Sequence, residues 1–202
     1  MYQHYIKRIL DIIIGLIAFP FVCLDVLFAA PFIYFTDRGP IFYNAVRNGF
    51  HRVPFRMFKL RTMYVDSPNV LNADGSTFNS DNDPRVTPIG KFLRKTSLDE
   101  YPQFINILLG DMSLIGPRPK QHIPTNSWDD LSDDCKHGYD VKPGITGYAQ
   151  AYGRNSLSQD EKYRMDAYYA DHISFKLDAQ ILWDTVFSVI TRKNINTIQD
   201  TK

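Results

Sequence analysis

The chain has 202 residues, a formal net charge of +1 and only two cysteines, Cys23 and Cys135. That length suits one domain with its own core. Two cysteines without a metal-ligand spacing of Cys and His exclude a disulfide-stapled scaffold and a structural zinc site.

The first element, Ile9 to Phe35, is almost wholly apolar, interrupted by Asp11, Pro20, Asp25 and Pro31. The aromatic share, 14%, is high for a soluble domain and fits contact with a membrane interface. At about 1.5 Å per residue, a helix of this length could cross a bilayer core of about 30 Å. Pro20, near the middle, removes a helix hydrogen bond and can bend the chain. Both flanks are basic, with Lys7 and Arg8 before and Arg38, Arg47, Arg52 and Arg56 after. Basic flanks favour the cytoplasmic side. A re-entrant helix-break-helix over residues 1–36, dipping into one leaflet, meets both signals. A straight span and a buried core helix are the alternatives. Pro31-Phe-Ile-Tyr stands where a small-residue cleavage site would follow, which argues against a cleaved leader. Asp25 needs a partner or water if it lies deep.

Residues 37–202 read as one structural unit. Gly39-Pro-Ile-Phe-Tyr43 and Pro54 to Met63 alternate partly between apolar and basic residues and read as short strands, with a turn around Asn48-Gly49. Alternation puts Lys59 and Arg61 on one face, either a phosphate-binding edge or a solvated one. Asp66 to Asp83, rich in Asn, Asp, Ser and Gly, reads as an exposed loop. Ile89 to Lys95 reads as a short amphipathic helix, and a second helix over about Leu98 to Leu109 ends at Gly110 as its C-cap. Gly116-Pro-Arg-Pro119 is a rigid turn carrying Arg118. Lys142-Pro-Gly-Ile-Thr-Gly147 is a glycine-rich turn whose backbone amides, with Arg154, could hold phosphate. A helix starting near Ser158 carries Asp166. The last helix, Asp178 to Ile190, shows Ile181, Thr185, Val186, Val189 and Ile190 on one face, with Trp183 and Phe187 on another. It reads as resting on the core and on a membrane surface, with full burial as the alternative.

The chemistry concentrates in Ser97-Leu-Asp-Glu100. Asp99 and Glu100 stand among cations at Arg85, Lys91, Arg94, Lys95 and Arg118. Paired carboxylates repel an anionic phosphate. Cations and a divalent metal around them make a phosphoryl-transfer site. The plain alternative is a capping box in which Glu100 bonds back to the Ser97 backbone.

Six segments, in order, resemble the bacterial sugar transferase family, the monotopic polyprenyl-phosphate phosphoglycosyl transferases. They are Lys59-Leu-Arg-Thr-Met63, Asp83 to Gln103, Gly110 to Pro119, Pro143-Gly-Ile-Thr-Gly147, Gly153-Arg-Asn155 and Asp166-Ala-Tyr-Tyr169. The resemblance implies a helix-rich α+β fold with a re-entrant membrane helix, a small catalytic domain and interfacial amphipathic helices. It implies transfer of a sugar 1-phosphate from a UDP-sugar to undecaprenyl phosphate, with release of UMP through a covalent phosphosugar–enzyme intermediate and with Mg²⁺. By position in the motif, Asp99 would be the nucleophile and Glu100 a metal ligand or acid–base group, both near the metal. Arg94 would bind phosphate, and Lys59, Arg118, Arg154 and Asp166 would complete the polar site. The implied partners are the UDP-sugar, undecaprenyl phosphate, membrane lipids and downstream glycosyltransferases, with no nucleic acid. The implied place is the cytoplasmic face of the bacterial inner membrane. A metal-dependent UDP-sugar pyrophosphatase or phosphodiesterase and a non-catalytic membrane scaffold are the competing functions. Retention of both Asp99 and Glu100 argues against the scaffold.

Overall fold

The computed structural model describes residues 1–68, 70, 80, 82–124, 127–153 and 157–191. The apolar N-terminal run forms one long helix. A π-helical turn over Tyr2–Ile6 leads into α1, Lys7–Asp37, which stays helical through both Pro20 and Pro31. The expected break at Pro20 is therefore absent from the helical path. Among apolar neighbours a freed backbone group has no water to bind, so the chain keeps its helical bonds around a proline and forgoes only the missing one. The most apolar stretch has a mean hydropathy of 2.6, enough by length and composition to cross a membrane.

One stripe of α1 is buried: Asp11, Gly15, Val22, Asp25, Ala29 and Ile33. The spacing follows the helical repeat. The opposite side, including Leu16, Ile17, Phe28, Phe32 and Phe35, is exposed. Both ends of the helix hold the same body. At the start, Arg8 donates to the carbonyls of Ile107 and Leu108 at 2.6 and 3.0 Å, and Lys7 meets Asp178 at 2.6 Å. At the far end, Asp37 receives a bidentate pair from Arg61, both bonds at 2.6 Å. Gly15 lets the helices close up, since a Cβ there would sit 2.8 Å from Leu108 Cδ2.

Two small sheets follow. β1, Ala45–Asn48, pairs antiparallel with β2, Pro54–Met57, and with β4, Lys120–Gln121, giving the order β2-β1-β4. The expected strand at residues 39–43 makes only a single bridge, Phe42 to Leu60. β2 stops at Met57 rather than running to Met63, because the buried Asn106 side chain accepts from the Phe58 N–H at 2.9 Å. β3, Ser113–Ile115, and β5, Gly144–Thr146, form a parallel pair. The glycine-rich segment thus contains a strand, and its neighbour Gly116 lies so close that a Cβ would meet the Lys142 carbonyl at 2.2 Å.

The helices are α2 (Pro88–Thr96), α3 (Gln103–Leu109), α4 (Asp133–His137), α5 (Tyr148–Tyr152), α6 (Gln159–Asp171) and α7 (Phe175–Thr191). The single helix expected over Leu98 to Leu109 is instead a 3₁₀ turn, Leu98–Glu100, followed by α3. Pro102 stands between them and has no N–H to continue the ladder. Gly110 caps α3 with φ 93°. Ser158 and Glu161 form a reciprocal capping box on α6.

Three apolar clusters tie these elements together. Ala29 and Ile33 of α1 pack with Leu60 and Leu93. Ile115, Val141, Tyr169 and Ile181 form a second cluster, and Met57, Ile107 and Met112 a third. On α7, Ile181 is fully buried while Trp183 and Phe187 are exposed, as expected of a two-faced helix. Val186, expected beside Ile181, is exposed with Trp183 instead.

Candidate active site

Four of the expected site residues converge where the Lys59 segment meets the 3₁₀ turn. The backbone does this directly: the Leu60 N–H donates to the Asp99 carbonyl at 3.0 Å, and the Tyr43 N–H to the Lys59 carbonyl at 2.8 Å. The Lys59 ammonium then lies 2.7 Å from Asp99 Oδ2 and 3.4 Å from Glu100 Oε1. Arg118, on the turn after β3, reaches the same Glu100 oxygen at 3.0 Å. One ammonium thus bridges the carboxylate pair, and a guanidinium flanks it on the Glu100 side.

Ser97 stands at φ 57° and its side chain caps nothing. Glu100 turns to Lys59 and Arg118 instead of the Ser97 backbone, so the capping box is not formed. Burial alone would raise the Glu100 carboxyl. Arg118 and Lys59 outweigh it and hold the group at about 2. Glu100 is therefore ionised at neutral pH. Asp99 is 2% exposed, whereas the Arg118 side chain is 60% exposed. The site is closed on the Asp99 side and open to solvent on the Arg118 side.

Arg94 approaches from α2. Its Nε donates to Thr62 Oγ1 at 2.9 Å, and its charge acts on Asp99. Arg85 lies apart, in a forked pair with the buried Asp83.

Arg61 does not join this group. Its five N–H donors go to Pro40, Asp37 twice, Met63 and the Ile33 carbonyl. No donor remains for a phosphate, and the residue fastens the end of α1. Because β2 ends before it, the face-sharing expected of Lys59 and Arg61 does not arise. Asp166 belongs to a different neighbourhood, on α6 behind Gly138. Burial pushes it up to about 7, only partly offset by Lys120 and Lys162. Lys120 also lines a shallow surface cleft with Arg118, Asn48, Gly138 and Tyr139, so Asp166 stands behind its Gly138 wall. Arg154 lies outside the described residues.

Two further residues belong here that residue patterns missed. Arg47, on β1, has a buried Nε with no hydrogen-bond partner, and the charges of Arg118 and Glu100 both act on it. Asp25, on the buried stripe of α1, is 8% exposed, and both of its oxygens lack a partner. The charge acting on Asp25 is that of Asp99. Both residues reach the site through long-range packing. The one sequence signal was a carboxylate inside an apolar run.

Residues 2–192 match the profile of the family described as bacterial sugar transferase. An uncharacterized sugar transferase, EpsL of Bacillus subtilis, is 36% identical over 94% of this chain and 90% of its own length. The Aeromonas hydrophila UDP-N-acetylgalactosamine-undecaprenyl-phosphate N-acetylgalactosaminephosphotransferase is 36% identical over 93% of this chain and 44% of its own length. The Escherichia coli UDP-glucose:undecaprenyl-phosphate glucose-1-phosphate transferase is 35% identical over 95% of this chain and 41% of its own. The chain thus spans nearly all of the first relative and under half of the other two.

Proposed function

We propose that this chain, which belongs to the bacterial sugar transferase family, moves a sugar 1-phosphate from a UDP-sugar to undecaprenyl phosphate and releases UMP. The observation that carries this reading is the Lys59 bridge across Asp99 and Glu100, with Arg118 on Glu100 and the charge of Arg94 acting on Asp99. Asp99 is the nucleophile. Its oxygen attacks the sugar-bearing phosphorus, the bond to UMP breaks, and a phosphosugar is left on the carboxylate. The cations offset the charge that gathers on the phosphoryl oxygens. Undecaprenyl phosphate then attacks the same phosphorus and frees Asp99. Asp166, with Lys120, shapes the nucleotide side of the cleft, and Arg154 adds a phosphate contact.

Magnesium fits as a shared rather than a caged ion. Among the described residues, no three His, Cys, Asp or Glu side chains gather to hold a metal. Mg²⁺ commonly takes one or two carboxylates and completes its shell with substrate phosphate and water. Glu100 and Asp99 would hold it, and its chemistry there is neutralisation of the diphosphate.

The same reading sets the enzyme on the cytoplasmic face of the inner membrane. On this reading the helix enters and leaves on one side, and the contacts that both of its ends make with one body support it. The exposed apolar side of α1 and the exposed Trp183 and Phe187 of α7 supply the lipid contacts. The lipid-linked product would pass to glycosyltransferases.

The test is UMP release across a panel of UDP-sugars, with and without undecaprenyl phosphate. Sustained turnover should need the lipid phosphate and one preferred sugar. Sustained UMP release that ignores the lipid would identify a hydrolase instead.

A further inference from the structure

Between the end of α6 and the start of α7 runs an open groove of about 240 Å³, lined by Tyr168, His172, Ser174, Lys176, Leu177 and Gln180. One wall is preformed. The His172 ring stacks on Tyr168 with centroids 4.1 Å apart, and its Nδ1 meets the Tyr168 carbonyl at 2.8 Å. Lys176 is exposed and, among the described residues, has no ion pair. No carboxylate lines the groove. The acids of the same stretch are engaged elsewhere. Asp171 meets His137 at 2.8 Å, Asp178 holds Lys7 at 2.6 Å, and Asp184 accepts from Tyr152 at 2.6 Å. The groove therefore presents one uncompensated cation among neutral polar groups.

Two observations say what it faces. The first is depth. α7 begins against the start of α1: the Tyr2 hydroxyl donates to Asp178 at 2.6 Å, and the Tyr2 and Phe175 rings meet edge-on at 6.0 Å. On the one-sided membrane reading above, the start of α1 lies at headgroup level, so the groove does too. The second is order along the helix. Lys176, Gln180, Trp183 and Phe187 stand at i, i+4, i+7 and i+11, on one stripe of α7. Trp183 and Phe187 are exposed. The stripe thus runs from a cation through an amide to two aromatic rings, the polar-to-apolar order of a phospholipid. Its eleven steps, at about 1.5 Å each, cover roughly 16 Å, close to half of a hydrocarbon core about 30 Å thick.

We propose that this groove binds the headgroup of an anionic phospholipid, with the phosphate at Lys176 and an acyl chain along Trp183 and Phe187. The inference rests on the membrane placement given under the proposed function. It concerns a lipid that stays on the enzyme surface, apart from the lipid phosphate that reacts at Asp99. Such a site would favour anionic over zwitterionic lipid about fivefold, the worth of one lysine at an anionic surface.

The test uses the full-length protein in lipid nanodiscs, with Trp128→Phe leaving Trp183 as its one tryptophan. Trp183 fluorescence is quenched by phosphatidylglycerol brominated on its acyl chains, or by phosphatidylcholine brominated likewise, each as a minor component among the other lipid. Quenching per brominated lipid should be about fivefold stronger for phosphatidylglycerol. Lys176→Arg should keep that preference and Lys176→Glu should abolish it. Lys136→Glu, the same change of charge on α4, should keep it, which separates the groove from the charge of the whole protein. Inorganic phosphate in excess, at matched ionic strength, should leave it intact. Equal quenching by the two lipids, a preference that survives Lys176→Glu or falls as far in Lys136→Glu, or a preference erased by free phosphate would overturn the headgroup site and leave the membrane placement standing. Trp183 quenched by neither lipid would overturn the membrane placement of α7 and this inference with it.

Discussion

Lys59 lies 2.7 Å from Asp99 and 3.4 Å from Glu100, so one side chain sets the charge balance of both. Of this group only the adjacent carboxylates were legible in the sequence; Lys59 joined them through the family resemblance, and its partner Glu100 lies 41 positions away. Asp166 was legible only as a member of a motif. Its environment, behind Gly138 and near Lys120, depends on how α4 meets α6, which no local pattern reports. The consequence is measurable. Asp166 rises from its ordinary 3.8 to about 7 through burial. The folded state therefore holds a proton that the unfolded state releases. The associated stability is complete below pH 3.8 and is lost as pH climbs towards 7. The slope is about 1.4 kcal/mol per pH unit. Asp166→Asn cannot ionise and escapes this loss. Between pH 5 and pH 8 its stability relative to wild type should improve by about 2 kcal/mol, read by chemical unfolding in detergent. A relative stability independent of pH would show that Asp166 is not held protonated.

At the scale of elements, Arg61 shows how a motif residue changes meaning. Its place beside Lys59 in Lys59-Leu-Arg-Thr-Met63 suggested a phosphate contact. The structure gives all five of its donors to α1 and its exit. The partner, Asp37, lies 24 positions away, so sequence spacing could not reveal the pair. Arg61→Ala leaves Asp37 without its cation and should destabilise the protein by about 3 kcal/mol. The same variant should keep the wild-type KM for the UDP-sugar within about threefold, because Arg61 touches no proposed substrate group. A tenfold rise in KM with unchanged unfolding would return Arg61 to the phosphate site. The helix at Pro20 carries a related lesson. Proline read as a break, but an apolar setting favours keeping every helical bond that can be kept. The start of the second strand at Pro54 was placed correctly, whereas the first strand lies at Ala45–Asn48 rather than at residues 39–43. Asn106 ends β2 from a distance of 48 positions, beyond any local signal.

For the whole molecule, the decisive feature is that α1 grips one body at both ends, through Lys7 and Arg8 and again through Asp37. Single cysteines at Gln3 and Lys176, each in a cysteine-free background, should both resist a membrane-impermeant maleimide in intact cells and react once the cells are opened. Labelling of Gln3 alone in intact cells would show a spanning helix. The central claim, though, is chemical: Asp99 carries the sugar phosphate between donor and acceptor. The most direct measurement is the intact mass of the enzyme after incubation with its UDP-sugar and Mg²⁺, without lipid phosphate. The account predicts a mass increase of one sugar phosphate, mapped to the peptide containing Asp99, discharged by undecaprenyl phosphate and absent in Asp99→Asn. An enzyme that turns over with both substrates but never gains that mass, or an Asp99→Asn variant that turns over normally, would contradict it.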